Sequence, residues 1–170
     1  MDLIPHPAFS PMAVEAISVE AVLAHGPGVL RWRVAGGALA DVSPAEAVRT
    51  DGLWQTTCFE LFVKPAEGEG YFEFNFAASG AWAAYSLDGY RSGMVALALD
   101  APTVERLADG VRVSVDLGGL PGGKWLVGLS AVIEEADGTK SYWALAHAEG
   151  QPDFHDPACF AIELPAPHTP

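Results

Sequence analysis

The segment Cys58–Trp82, CFELFVKPAEGEGYFEFNFAASGAW, contains two stretches of alternating apolar and polar residues on either side of a glycine-containing turn. This alternation has the period of a β-strand, whose successive side chains point to opposite faces of a sheet. The short turn between the two stretches predicts that they pair as an antiparallel hairpin. Phe72, Phe74 and Phe76 share one face, and three phenylalanine rings together remove a large apolar area from water. We therefore predict that this face packs the core of a β-structure.

The opposite face of the hairpin carries polar side chains. Tyr71, Glu73 and Asn75 follow one another on it, and antiparallel pairing would bring Glu60 of the first strand near Glu73 or Asn75. Such a face is either an ordinary solvated surface or the floor of a binding site. Two carboxylates, an amide and a phenol offer the donors and acceptors that bind paired hydroxyl groups. We predict that this face lines a binding concavity, and that Glu73→Ala or Asn75→Ala abolishes binding with little loss of stability.

Aromatic residues flank the hairpin. Trp54 precedes it, Trp82, Tyr85 and Tyr90 follow, and Arg91 comes directly afterwards. A binding pocket usually combines an apolar lining with a few placed polar groups, and a pyranose ring offers one apolar face and a rim of hydroxyls. This combination favours sugar recognition, although a single tryptophan is more often a core residue.

The strand period persists along most of the chain, and glycine, proline and aspartate separate the segments. Asp137-Gly138 lies between two of them and is a strong signal for a tight hairpin. The predicted strands are Ala16–Leu23, Gly28–Gly36, Cys58–Pro65, Gly70–Ser79, Gly80–Asp88, Gly93–Asp100, Gly110–Gly118, Lys124–Glu135, Lys140–His147 and Cys159–Pro165.

One segment, Val42–Thr50, has a helical pattern, with Ser43 as N-cap and Pro44 at the first helical position. Many short strands with at most one short helix predict an all-β antiparallel β-sandwich. A closed barrel with a ligand cavity is the alternative. We predict one domain over residues 1–170, with an N-terminal arm at 1–12 and a C-terminal tail at 165–170.

The composition restricts the partners. Lys and Arg number 9 against 22 Asp and Glu, which gives a formal net charge of −13. Such a field repels phosphate backbones and anionic lipids, so we expect no nucleic-acid or membrane partner, and a neutral or cationic ligand fits better. The first basic side chain of Lys or Arg is Arg31 and no long apolar run occurs, so we expect a cytoplasmic protein without a signal peptide, unless a mature form has already lost one.

The two cysteines, Cys58 and Cys159, have no metal-site or haem-attachment spacing. Both lie in apolar surroundings, where a free cysteine acts as a small hydrophobic residue. A disulfide is disfavoured in a reducing compartment. We predict two buried structural thiols.

The stretch Ser141–Leu164, SYWALAHAEGQPDFHDPACFAIEL, runs from a strand through a turn-rich loop into a final strand. The loop contains His155 beside Asp156, but adjacent residues in sequence need not meet through their side chains. No G-x-S-x-G elbow supplies a nucleophile for a base to activate. His155 is therefore a structural loop residue or a ligand contact.

Three motifs, DGLWQTTCFELFVKP, YFEFNFAASGAW and FHDPACFAIEL, occur in this order between Asp51 and Leu164. They resemble the DOMON-like superfamily, which includes the family 9 carbohydrate-binding modules, and are most similar to stand-alone bacterial DOMON-like proteins of unassigned function. The resemblance implies a β-sandwich whose concave sheet binds a small molecule. In the family's carbohydrate binders two aromatic rings clamp a sugar and polar sheet residues bond its hydroxyls. The positions that match these strands, together with two candidates chosen by proximity, are Trp54, Glu60, Tyr71, Glu73, Asn75 and Trp82, and then Arg91 and His155.

Other members of the superfamily bind haem or calcium. Met94 with His147 or His155 is the candidate pair for non-covalent haem, and no C-x-x-C-H motif for covalent attachment occurs. The candidate calcium ligands are single, scattered aspartates without EF-hand spacing, so we expect neither a metal nor a cofactor. These residues are Asp88, Asp109, Asp137 and Asp153.

Two further functional classes stay open. Glu60 and Glu73 would act as a glycosidase pair if their carboxyl groups lay roughly 5 to 9 Å apart. A protein-interaction module would instead expose a large contiguous apolar patch. The sequence favours non-catalytic binding of a small polyhydroxylated ligand, a carbohydrate, with no catalytic residue assigned.

Overall fold

A computed structural model describes residues 1–37 and 48–167. Alternation of apolar and polar residues sets the burial of some strands, whereas others are buried along nearly their whole length. In the strand Gly110–Asp116, for example, Val111, Val113 and Val115 are buried while the residues between them are exposed. The twelve strands are β1 (Asp2–Pro5), β2 (Val14–Val22), β3 (Pro27–Gly36), β4 (Cys58–Pro65), β5 (Tyr71–Phe76), β6 (Trp82–Leu87), β7 (Val95–Ala96), β8 (Thr103–Leu107), β9 (Gly110–Asp116), β10 (Trp125–Glu134), β11 (Lys140–Ala144) and β12 (Ile162–Leu164).

The strands form an antiparallel β-sandwich, as predicted. The larger sheet has the order β7-β6-β5-β4-β10-β11-β1, and the smaller sheet has the order β1-β2-β3-β9-β8. Strand β12 pairs with the first residues of β10. The first strand belongs to both sheets, because Leu3 pairs with Ile17 of β2 and Ile4 pairs with Ala144 of β11.

The main hydrophobic core lies between the two sheets. Trp32 of the smaller sheet is fully buried, and its ring lies 5.7 Å from that of Phe59 and 6.2 Å from that of Phe76. Phe74 is also fully buried in this core, and Phe72 is half-buried against it. The predicted phenylalanine face of β5 is therefore the core face, as its sequence indicated.

A second hydrophobic cluster covers the outer face of the larger sheet. Phe62 and Tyr71 of the hairpin pack there with Phe154 and Phe160, which lie in the segment between β11 and β12. That segment lies close to the sheet at Gly128, where a Cβ atom would be 3.0 Å from the carbonyl oxygen of Cys159. The absence of a side chain at Gly128 allows the backbone to approach the sheet directly.

Several expectations need correction. The segment 1–12 is not only an arm, because Asp2–Pro5 forms β1. Strand β8 was not predicted at all. The strand predicted at Gly93–Asp100 is reduced to the two residues of β7. Two short 3-10 turns, Leu53–Gln55 and Pro157–Cys159, are the helical elements of the described ranges.

The predicted helix at Val42–Thr50 lies mostly outside the described residues. None of the helical segments in ranges 1–37 and 48–167 has the length and apolar character that crossing a membrane requires. Cys58 and Cys159 are both free and buried, in agreement with the prediction of structural thiols.

Candidate ligand-binding site

The pairing of β4 with β5 places three polar side chains on the outer face of the larger sheet. Glu60 lies opposite Asn75, and Glu73 lies opposite Phe62, two residues further along the hairpin. Glu60 is 2% exposed, Glu73 4% and Asn75 0%. They are therefore not a solvated surface, because the segment after β11 covers this face.

A cavity of about 410 Å³ lies between this face and the segments that cover it. Its size falls within the range typical of small-molecule sites. Its wall is aromatic and apolar on several sides, and its charged groups come from the sheet, the loop after β6 and the loop before β12. The residues that line it are Trp54, Glu60, Glu73, Leu87, Arg91, Met94, Val132, Tyr142, Pro152, Phe154 and His155.

The two buried glutamates are held in different ways. Glu60 Oε2 accepts a hydrogen bond of 3.1 Å from the hydroxyl of Ser130 on β10, and Glu73 Oε1 accepts one of 2.8 Å from the amide of Asn75. Burial, reinforced by the negative charge of Glu73, raises the pKa of Glu60 to about 8. Burial also raises the pKa of Glu73. Glu60 is therefore mostly protonated at neutral pH, because one shared pocket disfavours two negative charges.

A network of hydrogen bonds holds the rim of the cavity. The Tyr71 hydroxyl accepts from the backbone N–H of Arg91 at 3.1 Å and lies 2.7 Å from His155 Nδ1. Arg91 reaches this position with a φ of 51°, a left-handed conformation that is rare for a residue other than glycine. Its guanidinium donates to Asp153 Oδ1 at 2.7 Å, and the Tyr90 hydroxyl donates to the other oxygen of that carboxylate.

His155 is neutral in this environment. Burial and the nearby charge of Arg91 lower the pKa of His155 to about 4. Since the Tyr71 oxygen already accepts from Arg91, we assign its hydrogen to a bond with His155 Nδ1, which leaves the histidine hydrogen on Nε2. Nε2 lies 3.9 Å from Glu73 Oε2, which is too long for a direct hydrogen bond.

The structure brings most of the residues predicted from the sequence together. Five of them line the cavity, namely Trp54, Glu60, Glu73, Arg91 and His155. Tyr71 and Asn75 lie behind the cavity surface, where they hold His155 and Glu73 respectively.

Trp82 does not lie at this site, and this placement corrects the sequence-based assignment. Trp82 pairs with Phe76 across β5 and β6, so both rings point into the core between the sheets. The guanidinium of Arg49 stacks 4.5 Å from the centroid of the Trp82 ring. Tyr85, which lies on the opposite face of β6 from Trp82, is in the outer cluster instead. Its hydroxyl donates to Asp51 Oδ1 at 2.7 Å.

Three contributors were missed by sequence reasoning. Ser130 bonds Glu60 from a strand 70 residues away in sequence, so no local pattern could have indicated the contact. Tyr142 could have been predicted from the alternation along β11, because it lies on the same face as Ala144 and opposite Val132 of β10. Phe154 stands beside His155 in the loop and closes the cavity from outside the sheet.

The alternative haem residues are only partly brought together. Met94 and His155 line the same cavity. His147 lies elsewhere, with its ring 4.9 Å from that of His6 and its Nε2 donating to the backbone oxygen of Ile4 at 2.8 Å. Within the described ranges, no group of three or more His, Cys, Asp or Glu side chains is placed to hold a metal ion.

In comparisons of sequence, no protein-family profile and no curated protein matches the chain. Comparison of structures does find similar proteins. One is a "putative carbohydrate-binding protein" from Bacteroides uniformis ATCC 8492, with a TM-score of 0.64, 15% sequence identity, and coverage of 93% of this chain and 81% of that chain. Another is a family 9 carbohydrate-binding module from Caldicellulosiruptor kristjanssonii in complex with glucose, with a TM-score of 0.45, 13% identity, and coverage of 87% and 75%. The chain therefore shares the β-sandwich fold of the Bacteroides uniformis protein.

Proposed function

We propose that the cavity on the outer face of the larger sheet binds a small polyhydroxylated ligand, a carbohydrate, without converting it chemically. The observation that carries the proposal is the composition of the cavity wall. Trp54, Tyr142 and Phe154 provide aromatic surface, and buried polar groups of Glu60 and Glu73 lie beneath it. Apolar rings suit the C–H face of a sugar, and fixed polar groups suit its hydroxyls.

Three observations agree with this proposal. Three motifs of the sequence resemble the DOMON-like superfamily, which includes sugar-binding modules. The Bacteroides uniformis protein with the same fold is a "putative carbohydrate-binding protein". The rim residues Arg91 and His155 are held by hydrogen bonds to Asp153 and Tyr71, and such preorganisation lowers the entropic cost of binding.

The first test is a thermal-shift screen of the purified protein against mono- and disaccharides, with haem and calcium as separate arms. A ligand at 100 times its dissociation constant adds about 2.7 kcal/mol to the free energy of unfolding. In a chain of this length each kcal/mol raises the melting temperature by roughly 2 to 4 °C. A shift with haem alone would favour the pair Met94 and His155 instead, and no shift with any sugar would contradict the proposal.

The aromatic wall gives the second test. Trp54 is 40% exposed at the cavity rim, so Trp54→Ala removes a stacking surface without opening the core. We expect the dissociation constant for a sugar found in the screen to rise about tenfold, which corresponds to 1.4 kcal/mol. Met12→Ala is the matched control, because Met12 is exposed and does not line the cavity. Equal sugar affinity in Trp54→Ala and the native protein, measured by calorimetry, would show that the ligand binds elsewhere.

Glycoside hydrolysis is a second candidate, and one observation favours it. Glu60 and Glu73 both line the cavity, and burial raises the pKa of Glu60 to about 8, as an acid catalyst requires. Non-catalytic binding implies that aryl glycosides are not hydrolysed. Release of product that disappears in Glu60→Gln would replace the binding proposal with this one.

A further inference from the structure

The charge of the cavity is unbalanced. Arg91 lines it, but its guanidinium is already neutralised by Asp153 at 2.7 Å. His155, held by Tyr71, carries no charge at neutral pH because burial keeps its pKa near 4. Among the described residues, no Lys or Arg side chain forms an ion pair with Glu60 or Glu73. Burial raises the pKa of each carboxyl group and outweighs the charge of Arg91, which lowers both pKa values.

The floor also has an excess of hydrogen-bond acceptors. The amide nitrogen of Asn75 donates to Glu73, and this bond fixes the orientation of the amide group. Asn75 Oδ1 is then buried without a hydrogen-bond partner, on the same sheet face as the two carboxyl groups. A buried acceptor without a partner costs about 1 to 3 kcal/mol. Because Asn75 lies behind the cavity surface, its oxygen adds a partial negative charge beneath the two carboxyl groups without being a ligand contact itself.

We propose that the ligand carries a protonated amine, which lies between Glu60 and Glu73, so that the site prefers an amino sugar to the corresponding neutral sugar. This inference rests on the proposed function of the cavity. An ammonium group offers three N–H donors and no acceptor, which complements the carboxylate of Glu73 and, once Glu60 has lost its proton, that of Glu60 as well. The aromatic ring of Trp54 or Tyr142 on the wall can also contact a cation favourably.

Binding of the amine has a consequence for protons. Without a cation, Glu60 holds a proton at neutral pH, because burial and Glu73 together raise its pKa to about 8. The ammonium group supplies the positive charge that ionised Glu60 lacks, so Glu60 loses its proton to solvent as the ligand binds. Uptake of one cationic ligand and release of one proton leave the net charge of the complex equal to that of the free protein.

Calorimetry at pH 6.5 tests this inference directly. The probes are three matched sets, each an amino sugar, its neutral parent and its N-acetyl derivative: D-glucosamine, D-galactosamine and D-mannosamine with their counterparts. Titration in two buffers of different ionisation enthalpy measures the number of protons released. We expect at least one amino sugar to bind at least tenfold more tightly than its parent and its N-acetyl derivative, with release of close to one proton.

Glu60→Gln identifies the group that releases the proton. Glutamine keeps the shape of the side chain and can still bond Ser130, but it has no proton to lose. We expect the variant to bind the amino sugar at least tenfold more weakly and to release no proton. Glu67→Gln is the matched control, because Glu67 is exposed in the turn of the same hairpin.

The outcomes separate this inference from the proposed function. Neutral sugars that bind as tightly as the amino sugars would overturn the amine inference and leave sugar binding standing. Amino-sugar binding without proton release, or unchanged in Glu60→Gln, would also overturn it. If a simple amine such as ethanolamine bound with proton release but no sugar did, the carboxylate–amine contact would be supported and the proposed sugar binding would fail.

Discussion

Glu60 is a single residue whose protonation couples the cavity to the stability of the fold. Its pKa is about 8 in the folded protein against 4.5 for the free group, so the folded state binds a proton more tightly than the unfolded state. The stability from this group is complete below pH 4.5 and is lost as the pH rises through 8. His155 acts in the opposite direction, since its pKa is lowered to about 4 from 6.5, but it is mostly neutral in both states above pH 6.5.

The pH dependence of the free energy of unfolding measures the contribution of Glu60. Between pH 6.5 and 8.5 we expect Glu60 to reduce the free energy of unfolding by about 2 kcal/mol, because each pKa unit corresponds to about 1.4 kcal/mol. Glu60→Gln should remove that loss and be the more stable protein at pH 8.5. Urea titrations at both pH values measure the difference, with Glu67→Gln as the exposed control. Equal slopes in all three proteins would mean that Glu60 titrates normally.

At the scale of one element, β5 contributes to the core with one face and to the cavity with the other. Phe74 is fully buried between the sheets, whereas Phe72 is only half-buried on the same face. We expect Phe74→Ala to cost about 3 to 5 kcal/mol in the free energy of unfolding, because it leaves a cavity in the core. Phe72→Ala should cost less than half as much, and chemical denaturation compares them. Similar costs would place the two rings in similar environments.

The polar face of β5 is less independent of stability than the sequence indicated. Asn75 is fully buried and donates to Glu73, so Asn75→Ala leaves a buried carboxylate oxygen without its donor. We expect this variant to lose about 1 to 3 kcal/mol of stability as well as ligand affinity. Binding of a sugar must therefore be measured well below the melting temperature of the variant, with circular dichroism confirming that it is folded. Unchanged stability would mean that solvent replaces the lost donor.

The same element shows what the sequence could predict. Strand β4 was predicted with its observed bounds, Cys58–Pro65, because a short apolar run with Phe59, Leu61 and Val63 on one face ends at a proline before a glycine-containing turn. The inward phenylalanines and the outward Tyr71, Glu73 and Asn75 follow from parity alone. Trp82 was assigned to the site from the family resemblance and its place just after the hairpin, and neither fixes the face of β6 on which its ring lies.

Strands with weak local patterns were missed because contacts with residues far away in sequence determine their positions. In β8, Thr103–Leu107, exposure does not alternate, since the strand lies at the edge of the smaller sheet. Strand β1 has four residues and ends in Pro5, so its place is fixed by partners far away in sequence. The contact between Ser130 and Glu60 depends on strand order, which a local period does not contain.

At the scale of the whole molecule, β1 connects the two sheets. Leu3 is 4% exposed in the core, whereas its neighbour Ile4 is 54% exposed. We expect Leu3→Ala to cost about 2 to 5 kcal/mol, and Ile4→Ala to change stability by no more than about 0.5 kcal/mol. Because both sheets share this strand and one core, far-ultraviolet circular dichroism and tryptophan fluorescence should report the same midpoint in every variant. Separate midpoints would show that the sheets unfold independently.

The position of β1 also determines when a nascent chain can complete its fold. Ile4 pairs with Ala144, so the first strand has no partner from the larger sheet until β11 has left the ribosome. At roughly 5 to 20 residues per second, that interval lasts on the order of 10 s, far longer than hairpin formation takes. During this interval the hairpins already formed keep an edge strand with unpaired backbone N–H and C=O groups. Such an edge can bind a chaperone or pair with another chain and aggregate. The strand that joins the two sheets in the finished protein thus cannot complete the larger sheet until most of the chain has been synthesised.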